Sequence, residues 1–346
     1  MAFMHWEYRQ ARPSLDAALV GAILERWGLS PDFEAVQDLG GAYNRNGRVQ
    51  TLGADVVVRI RPPWLTLRRV RGVHRLLHHL AERGIATPLP RTTLRGETIA
   101  SVMGYLVEVY DYLPEAANRE WSPARWGAAF AHLGRLHRAL ARLEMPLAPP
   151  LVSNYAAPHH LQAMLLQTLS RLEALPPSPD QAEALAMLGE ALRVAARIDM
   201  QRAKREAHLP RQLIHGDFHL DNLLFGADGD VRYTLDFDFA AVGERVFDVA
   251  YALRLALPQL TDNPDCMLSS QRVSAWLAAY DAGAPAPLSP DERAMLPYEL
   301  AAIALYHIAD ACRVAYPLGQ VLREVAYLEL AVHLADYPDA LLNAPC

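Results

Sequence analysis

The chain changes character at Pro114. Upstream of it, one helical segment is followed by short β-prone runs broken by glycine and proline. Residues 14–29 have helical periodicity, with Ser14 placed to cap the first turn. Phe33 to Leu39 alternates loosely, Gly40-Gly41 interrupts it, and Arg48 to Leu52 resumes. A turn at Gly53-Ala54-Asp55 leads into the strongly β-prone Val56-Val57-Val58-Arg59-Ile60, which Pro62-Pro63 ends. Residues 66–83 form a basic helix closed by Gly84, with Arg69 expected on its outer surface. Glu97 to Met103 and Tyr105 to Tyr110 give two further strands around Gly104. Downstream of Pro114 helical periodicity dominates, over 122–142, 158–175, 179–206, 245–257, 270–282, 290–316 and 318–336. The exception is Leu213 to Leu235, which holds short β runs. The class this implies is α+β, with a small antiparallel-sheet lobe at 1–110, a larger helical lobe at 111–346 and a hinge at about 110–114.

Composition narrows the partners. The 346 residues are 52% hydrophobic, enough for two packed lobes, and the formal charge of −6 argues against nucleic acid. The longest apolar runs, such as Ala301 to Leu305, fall far short of a membrane span, and Met1 to Pro13 lacks the apolar core of a signal peptide. Cys266, Cys312 and Cys346 form no CxxC pair, as in a reducing compartment. A soluble, cytoplasmic protein with a small-molecule partner, and neither membrane nor nucleic acid, is expected. Lys204 is the only lysine, so any catalytic cation elsewhere has to be arginine or histidine.

The chemistry concentrates in RQLIHGDFHLDNLLF, residues 211–225. Asn222 follows Asp217 by five positions, Leu223-Leu224-Phe225 continues as a strand, and a turn at Gly226 to Asp230 returns the chain through Val231 to Leu235. Asp236-Phe237-Asp238 follows. Phosphoryl transfer needs a carboxylate to accept or orient the attacking hydroxyl, and an amide oxygen plus a second carboxylate for the metal ions on the phosphates. Protein kinases supply these as H-R-D-x-x-x-x-N and then D-F-G. An isolated HGD is weak evidence, since Asp-Gly pairs abound in turns. The full run with its spacing is far more specific.

On these residues the chain resembles the aminoglycoside phosphotransferase/choline kinase superfamily, whose fold is protein-kinase-like. Leu235 to Ala250 (LDFDFAAVGERVFDVA), Leu39-Gly40-Gly41 to Asn44, and Leu133-Gly134-Arg135-Leu136-His137 extend the resemblance. It implies ATP and Mg2+ as cofactors, Asp217 as catalytic base, His215 orienting its loop, Asn222 and Asp236 as metal ligands, and Asp248 bracing the loop from beneath. Asp248 also reads as a helix-start carboxylate favoured by the helix dipole. His219 serves either substrate contact or packing. Asp238, replacing the glycine of D-F-G, either joins the metal's surroundings or only hydrogen-bonds the loop.

The nucleotide side departs from the pattern. Gly40 and Gly41 permit close backbone approach to phosphate, with Asn44 nearby, although two glycines in a hairpin are common. Arg59 stands where a lysine is expected. The helix after it has no acidic residue; Val73, with His74 beside it, occupies the glutamate's place. The stretch Tyr110-Asp111-Tyr112-Leu113 resembles the adenine-binding hinge, while Tyr110 and Tyr112 also suit an ordinary lobe interface. On the helix at 299–313, Glu299, Tyr306, Asp310 and Arg313 share one side, as a substrate groove or as a solvated face.

The expected function is ATP- and Mg2+-dependent phosphorylation of a hydroxyl on a small molecule such as an aminoglycoside, homoserine or a choline-like alcohol. A protein serine/threonine kinase of the same fold is one alternative. A weakly active or non-catalytic nucleotide-binding protein is another, motivated by the missing Lys–Glu pair. Among the thirteen histidines, His78-His79 and His159-His160 lack zinc-ligand spacing.

Overall fold

The computed structural model describes residues 14–41, 43–114, 122–150, 158–256 and 269–343. Met1 to Pro13, Cys266 and Cys346 lie outside these residues.

The first lobe is a five-stranded antiparallel sheet in the order β1-β2-β3-β5-β4, made of β1 (Phe33–Gly40), β2 (Arg45–Thr51), β3 (Ala54–Ile60), β4 (Ala100–Val102) and β5 (Tyr105–Asp111). Period-two alternation assigns its faces. Val56, Val58 and Ile60 of β3 are buried with Val107 and Val109 of β5 against Leu19, Ile23 and Leu24 of α1 (Ala17–Arg26). Val57 and Arg59 point the other way, into a cleft. The cap of α1 is Asp16 rather than Ser14: its carboxylate accepts the Leu19 N–H at 2.9 Å, and Ser14 only reaches Asp16. β4 is shorter than the sequence suggested. Glu97 is held in a turn by Thr93, whose Oγ accepts its N–H at 3.1 Å, so pairing begins only at Ala100. The β4–β5 turn places Met103 and Gly104 at φ 49° and 86°, the two positive values of a tight hairpin.

α2 (Leu67–Glu82), its N-terminus capped by Thr66, turns Val73 and Leu77 to the cleft. Arg69 is not on its surface. The side chain is 3% exposed and points toward the second lobe.

That lobe is helical: α3 (Pro123–Leu140), α4 (Pro158–Glu173), α5 (Pro179–Ala203), α6 (Arg245–Ala256), α7 (Ser270–Gly283), α8 (Pro290–Ala309), α9 (Pro317–Arg323) and α10 (Val325–Asp336). Two small antiparallel pairs carry the loops between α5 and α6: β6 (Arg211–Ile214) with β9 (Ala241–Glu244), and β7 (Leu223–Phe225) with β8 (Val231–Thr234). The single helix expected over 290–316 stops at Ala309 and tightens into a 3-10 turn, Asp310–Arg313. Pro317 disfavours helical backbone at Tyr316, which sits at φ −117°, ψ 76°. The segment 318–336 likewise divides at Glu324 into α9 and α10. Among the described residues, no helix is long and apolar enough to cross a membrane.

The core of the helical lobe explains the glycine within LGRLH. The rings of Phe130 on α3 and Trp276 on α7 stack at 5.6 Å and 12°, drawing the two helices together. A Cβ at Gly134 would collide with the Tyr280 carbonyl and lie 2.8 Å from the Ala284 nitrogen, and one at Gly283 would lie 2.6 Å from the Ala131 carbonyl. The two glycines let the backbones touch. Gly134→Ala should therefore cost about 1–3 kcal/mol of stability in urea denaturation. Gly189→Ala, in α5 where a Cβ meets nothing within 4 Å, should be neutral or stabilising. Equal effects would remove the close-approach argument.

Candidate active site

The loop from β6 to β7 is fixed from below by one carboxylate. Asp248, in the first turn of α6, is fully buried. Its Oδ2 accepts the His215 N–H at 2.7 Å and its Oδ1 the Gly216 N–H at 2.8 Å. His137 of α3 donates to Oδ2 from Nε2 at 3.0 Å, and its Nδ1 meets the Tyr280 hydroxyl at 2.9 Å. Gly216 has φ 80°, and a Cβ there would sit 2.5 Å from the Phe239 carbonyl, so glycine is required twice over.

His215 ties this loop to the next. Its Nε2 must donate to the Leu235 carbonyl, at 2.9 Å, which leaves Nδ1 to accept the Asp217 N–H at 3.2 Å. That is the neutral tautomer, and burial lowers its pKa accordingly. The Leu235 N–H donates to the Asn222 carbonyl at 2.8 Å, so the two loops are stitched together directly before Asp236.

Asp217 faces the cleft. Its Oδ1 accepts the Tyr251 hydroxyl at 2.8 Å, and its Oδ2 accepts Asn222 Nδ2 at 3.3 Å. His219 lies 3.7 Å from Oδ2. Burial pushes the Asp217 carboxyl up, but His219, His215 and the Tyr251 hydroxyl outweigh it, and its pKa is lowered. Asp217 is therefore ionised at neutral pH. The same proximity raises the pKa of His219 against its own desolvation. Asn222 spends its Nδ2 on Asp217 and on His219 Nε2, at 3.1 Å. Its Oδ1 accepts no hydrogen bond among the described residues and is left as an oxygen donor.

The two carboxylates of Asp236-Phe237-Asp238 have opposite environments. Asp236 adopts a left-handed conformation, φ 55° and ψ 72°, unusual for a residue with a Cβ and an indicator of functional strain. Burial and then the charge of Asp238 raise its pKa to about 7. Asp238 is 8% exposed and accepts from Asn44 Nδ2 at 2.8 Å and from Arg61 Nη1. Burial works against its charge, but Arg61 and Arg59 prevail and its pKa is lowered. Asp238 thus belongs to the protein's own ion pairing, and Asp236 is left facing the cleft with a poorly compensated charge. The available donors, two carboxylates and an amide oxygen, are hard oxygens of the kind that bind a small divalent cation together with phosphates and water. Among the described residues no cluster of three or more His, Cys, Asp or Glu forms a cage by itself.

The partner of the nucleotide-side cation comes from an unexpected element. Arg61 lies two residues beyond Arg59 and is 3% exposed. It pairs with Glu108 through Nε, donates to Glu108 Oε1 from Nη2 at 3.2 Å, and reaches Asn44 Oδ1 at 3.2 Å. Glu108 also meets His74 of α2 and accepts the Tyr110 hydroxyl at 3.1 Å. It is fully buried, yet Arg61 and then His74 hold its pKa down to about 2. The acid absent from α2 is supplied by β5, and Val73 simply lines the cleft. Arg59 donates from Nε to Asn46 Oδ1 at 2.9 Å, its guanidinium 5.5 Å from the Tyr110 ring centre. No carboxylate lies within ion-pair distance of Arg59 among the described residues. Arg69 donates to the carbonyls of Asp238 at 2.9 Å and Ala240 at 2.6 Å, so it holds the Asp-Phe-Asp loop from α2.

These groups meet in a cavity of about 750 Å³ between the lobes. Gly41, Asn44, Arg59, Tyr110, Asp111 and Leu113 line its sheet side, and Asp217, His219, Asn222, Asp236 and Asp238 its helical side. Gly40, at φ 75°, shapes the β1–β2 loop just outside the lining. His215 and Asp248 lie beneath. Tyr306 and Asp310 do not line the cavity: both are engaged by Arg313, at 3.3 and 3.1 Å. Glu299 is buried against Arg202, so the polar stripe expected on that helix is not one surface. Arg61, Glu108 and Tyr251 were missed. The signals were present: a second arginine at strand spacing in VRIR, a single carboxylate inside the apolar strand LVEVY, and a tyrosine one turn after Asp248.

Residues 34–298 match the sequence profile described as "Phosphotransferase enzyme family". Homoserine kinase of Methylobacillus flagellatus is 30% identical over 223 residues, 64% of this chain and 61% of that protein. That of Polaromonas naphthalenivorans is 26% identical over 258 residues, 75% of each. The matched stretch spans about three fifths of the length of the first of these relatives. An aminopropanol kinase associated with a microcompartment superposes with a TM-score of 0.69 at 16% identity, over 94% of this chain and 99% of that one. A spectinomycin phosphotransferase with ADP and spectinomycin gives 0.64 at 13% identity, over 94% and 98%. At these identities the superpositions establish the fold, two-lobed and protein-kinase-like.

The raised pKa of Asp236 has a measurable consequence. A carboxyl with a folded pKa of about 7 is largely protonated near pH 6 and must lose that proton to ligate a cation. Titration of Mn2+ by calorimetry, in buffers of different ionisation enthalpy, should show release of most of a proton at about pH 6 and almost none at about pH 8.5. Identical proton release at both values would show that Asp236 is not the ligand.

Proposed function

This chain belongs to the phosphotransferase enzyme family, and we propose that it transfers the γ-phosphoryl group of ATP, with Mg2+, to a hydroxyl of a small molecule. The observation that carries this reading is the convergence of Asp217, Asn222 and Asp236 on one cleft whose opposite wall presents Gly41 and Arg59. Residues 1–110 form the nucleotide-binding lobe, 111–346 the catalytic and acceptor lobe, and the connection at 110–114 is the hinge. The homoserine kinases and the aminopropanol kinase among its relatives support a compact alcohol as acceptor. ATP supply places the reaction in the cytoplasm.

In this mechanism the adenine sits against the Tyr110–Leu113 edge. The β1–β2 loop at Gly40-Gly41 approaches the phosphates, and Arg59, with no carboxylate within ion-pair distance among the described residues, forks onto their oxygens. Asn222 and Asp236 would hold Mg2+, which when bound offsets the charge on the phosphates. Asp217, kept ionised and oriented by Tyr251 and Asn222, receives the hydrogen bond of the acceptor hydroxyl. The hydroxyl oxygen forms its bond to the γ-phosphorus as the bond from that phosphorus to the bridging oxygen breaks. ADP leaves with that oxygen's electrons, and the hydroxyl proton passes to Asp217 and then to water.

Asp217→Asn keeps the shape and removes the proton acceptor. It should lower kcat by about 10²–10⁴-fold with nucleotide affinity intact, and the lower end is expected because loose transition states demand little base strength. Tyr251→Phe removes a hydrogen bond that lowers the Asp217 pKa. The acid limb of its pH–rate profile should therefore move to higher pH. Wild-type turnover in Asp217→Asn, measured as phosphate transfer to an active acceptor, would overturn the assignment.

A further inference from the structure

Three aromatic rings meet at one end of the inter-lobe cavity. Tyr43, Trp64 and Phe239 all line it. They come from three segments: the β1–β2 loop, the connection from β3 to α2, and the turn after Asp236-Phe237-Asp238. The Tyr43 ring stands edge-on to Trp64, with centres 5.7 Å apart and planes at 85°, and lies tilted on Phe239 at 5.8 Å and 59°. These are geometries that aromatic quadrupoles favour. The residue after Tyr43 is fixed as well. Asn44 is 4% exposed, and its side chain donates to Asp238 at 2.8 Å and accepts from Arg61 at 3.2 Å. The loop opened by Gly40-Gly41 is thus anchored at Tyr43-Asn44 to both walls of the cleft.

The end they occupy is the reacting one. Phe239 follows Asp238 directly and packs on the Asp217 loop: a Cβ at Gly216 would lie 3.2 Å from the Phe239 Cβ, and Asp217 is the next residue. Tyr251, whose hydroxyl is bonded to Asp217, lines the same cavity. Burial and then Asp217 raise the Tyr251 pKa, and Tyr43 adds to the rise, so the two phenols lie within electrostatic reach of one another. The three rings therefore border the mouth where Asp217, Asp236 and Asp238 come together.

Water competes with an alcohol in any phosphoryl transfer. A loose transition state demands little of the base, and an Asp217 that receives a proton from an alcohol receives one from water. Hydrolysis would follow the same course. The water oxygen bonds to the γ-phosphorus, the bond to the bridging oxygen breaks, and ADP leaves with that oxygen's electrons. The proton passes to Asp217, and inorganic phosphate is released. Preference for the alcohol then requires that bulk water be kept off the phosphorus. We propose that Tyr43 does this: its ring, seated on Trp64 and Phe239, walls the reacting end of the cleft, so that the oxygen reaching the γ-phosphorus is the acceptor's. The proposal rests on the phosphotransferase reading of the cleft and adds to it a residue that sets the partition between transfer and hydrolysis. The ring carries the role, because its faces and edge make the packing contacts.

Phosphate release from ATP with Mg2+ and no acceptor present tests it. Tyr43→Ala opens the wall and should raise that release by about tenfold over the wild-type protein, with little change in the KM for ATP. General damage to the site would lower hydrolysis, whereas loss of shielding raises it. Tyr43→Phe restores the ring and should bring release back close to the wild-type rate. Adding Asp217→Asn to Tyr43→Ala should remove the gain, because water and alcohol use the same base. Should Tyr43→Ala not fold, Tyr43→Leu, which keeps some bulk but no ring, carries the same expectation. Release no faster in Tyr43→Ala than in the wild-type protein, with Mg2+–ATP still bound in calorimetry, would overturn the proposal and leave the kinase reading standing. Loss of Mg2+–ATP binding in Tyr43→Ala alone would assign Tyr43 to nucleotide affinity and overturn it too. So would a rise in Tyr43→Phe equal to that in Tyr43→Ala, which assigns the effect to the hydroxyl, or a gain that survives Asp217→Asn, which places the hydrolysis elsewhere. Failure of the wild-type protein to bind Mg2+–ATP is the separate outcome that removes the kinase reading, and this proposal with it.

Discussion

The site depends on one buried guanidinium. Arg61 leaves the end of β3 and pairs with Glu108 on the neighbouring strand and with Asp238 from the other lobe. Each carboxylate would be costly to bury alone, and so would the arginine. Together they form a connection across the cleft that neither lobe could hold by itself. His74 and Tyr110 complete Glu108, and Asn44 completes Asp238. Arg69 adds a second tie by gathering the carbonyls that follow Phe237. The region that kinases organise around a lysine and a helix-borne glutamate is organised here by arginines and a strand-borne glutamate.

That substitution separates the roles of two adjacent acids. With Arg61 committed to Asp238, Asp236 faces the cleft in a left-handed conformation, its charge poorly compensated and suited to a cation. On the far side, Asp248 performs the corresponding task for the Asp217 loop, using only main-chain donors and His137. The carboxylates to which chemistry is assigned are thus held by others that take no part in it. Arg59 is held by Asn46 through Nε, with no carboxylate within ion-pair distance among the described residues.

Much of this was legible in the sequence. The spacing from Asp217 to Asn222 and on to Asp236 placed the three together because a 3-10 turn and a tight hairpin return the chain to one mouth. The class followed from the disappearance of β-prone runs after Pro114. What could not be read was any pairing between distant segments. Arg69 looked like a surface residue because its helix is rich in arginine, and only the approach of residues 237–240 buries it. The absence of an acid on α2 suggested a missing ion pair, since nothing in LVEVY says that its glutamate faces an arginine on β3. The stripe on α8 failed for a related reason: periodicity put Glu299 and Asp310 on one side, but Arg202 encloses the first and the helix ends before the second.

The central claim is that Arg61 and Asp238 are coupled energetically across the cleft. A double-mutant cycle measures this directly, from the unfolding free energies of the wild-type protein, Arg61→Met, Asp238→Asn and the double variant in urea. Each single change strands a buried partner, and the double change strands less, so the coupling should fall between about 1 and 3 kcal/mol. Additivity within about 0.5 kcal/mol would contradict the account, since the two side chains would then contribute independently and the connection between the lobes would have to lie elsewhere.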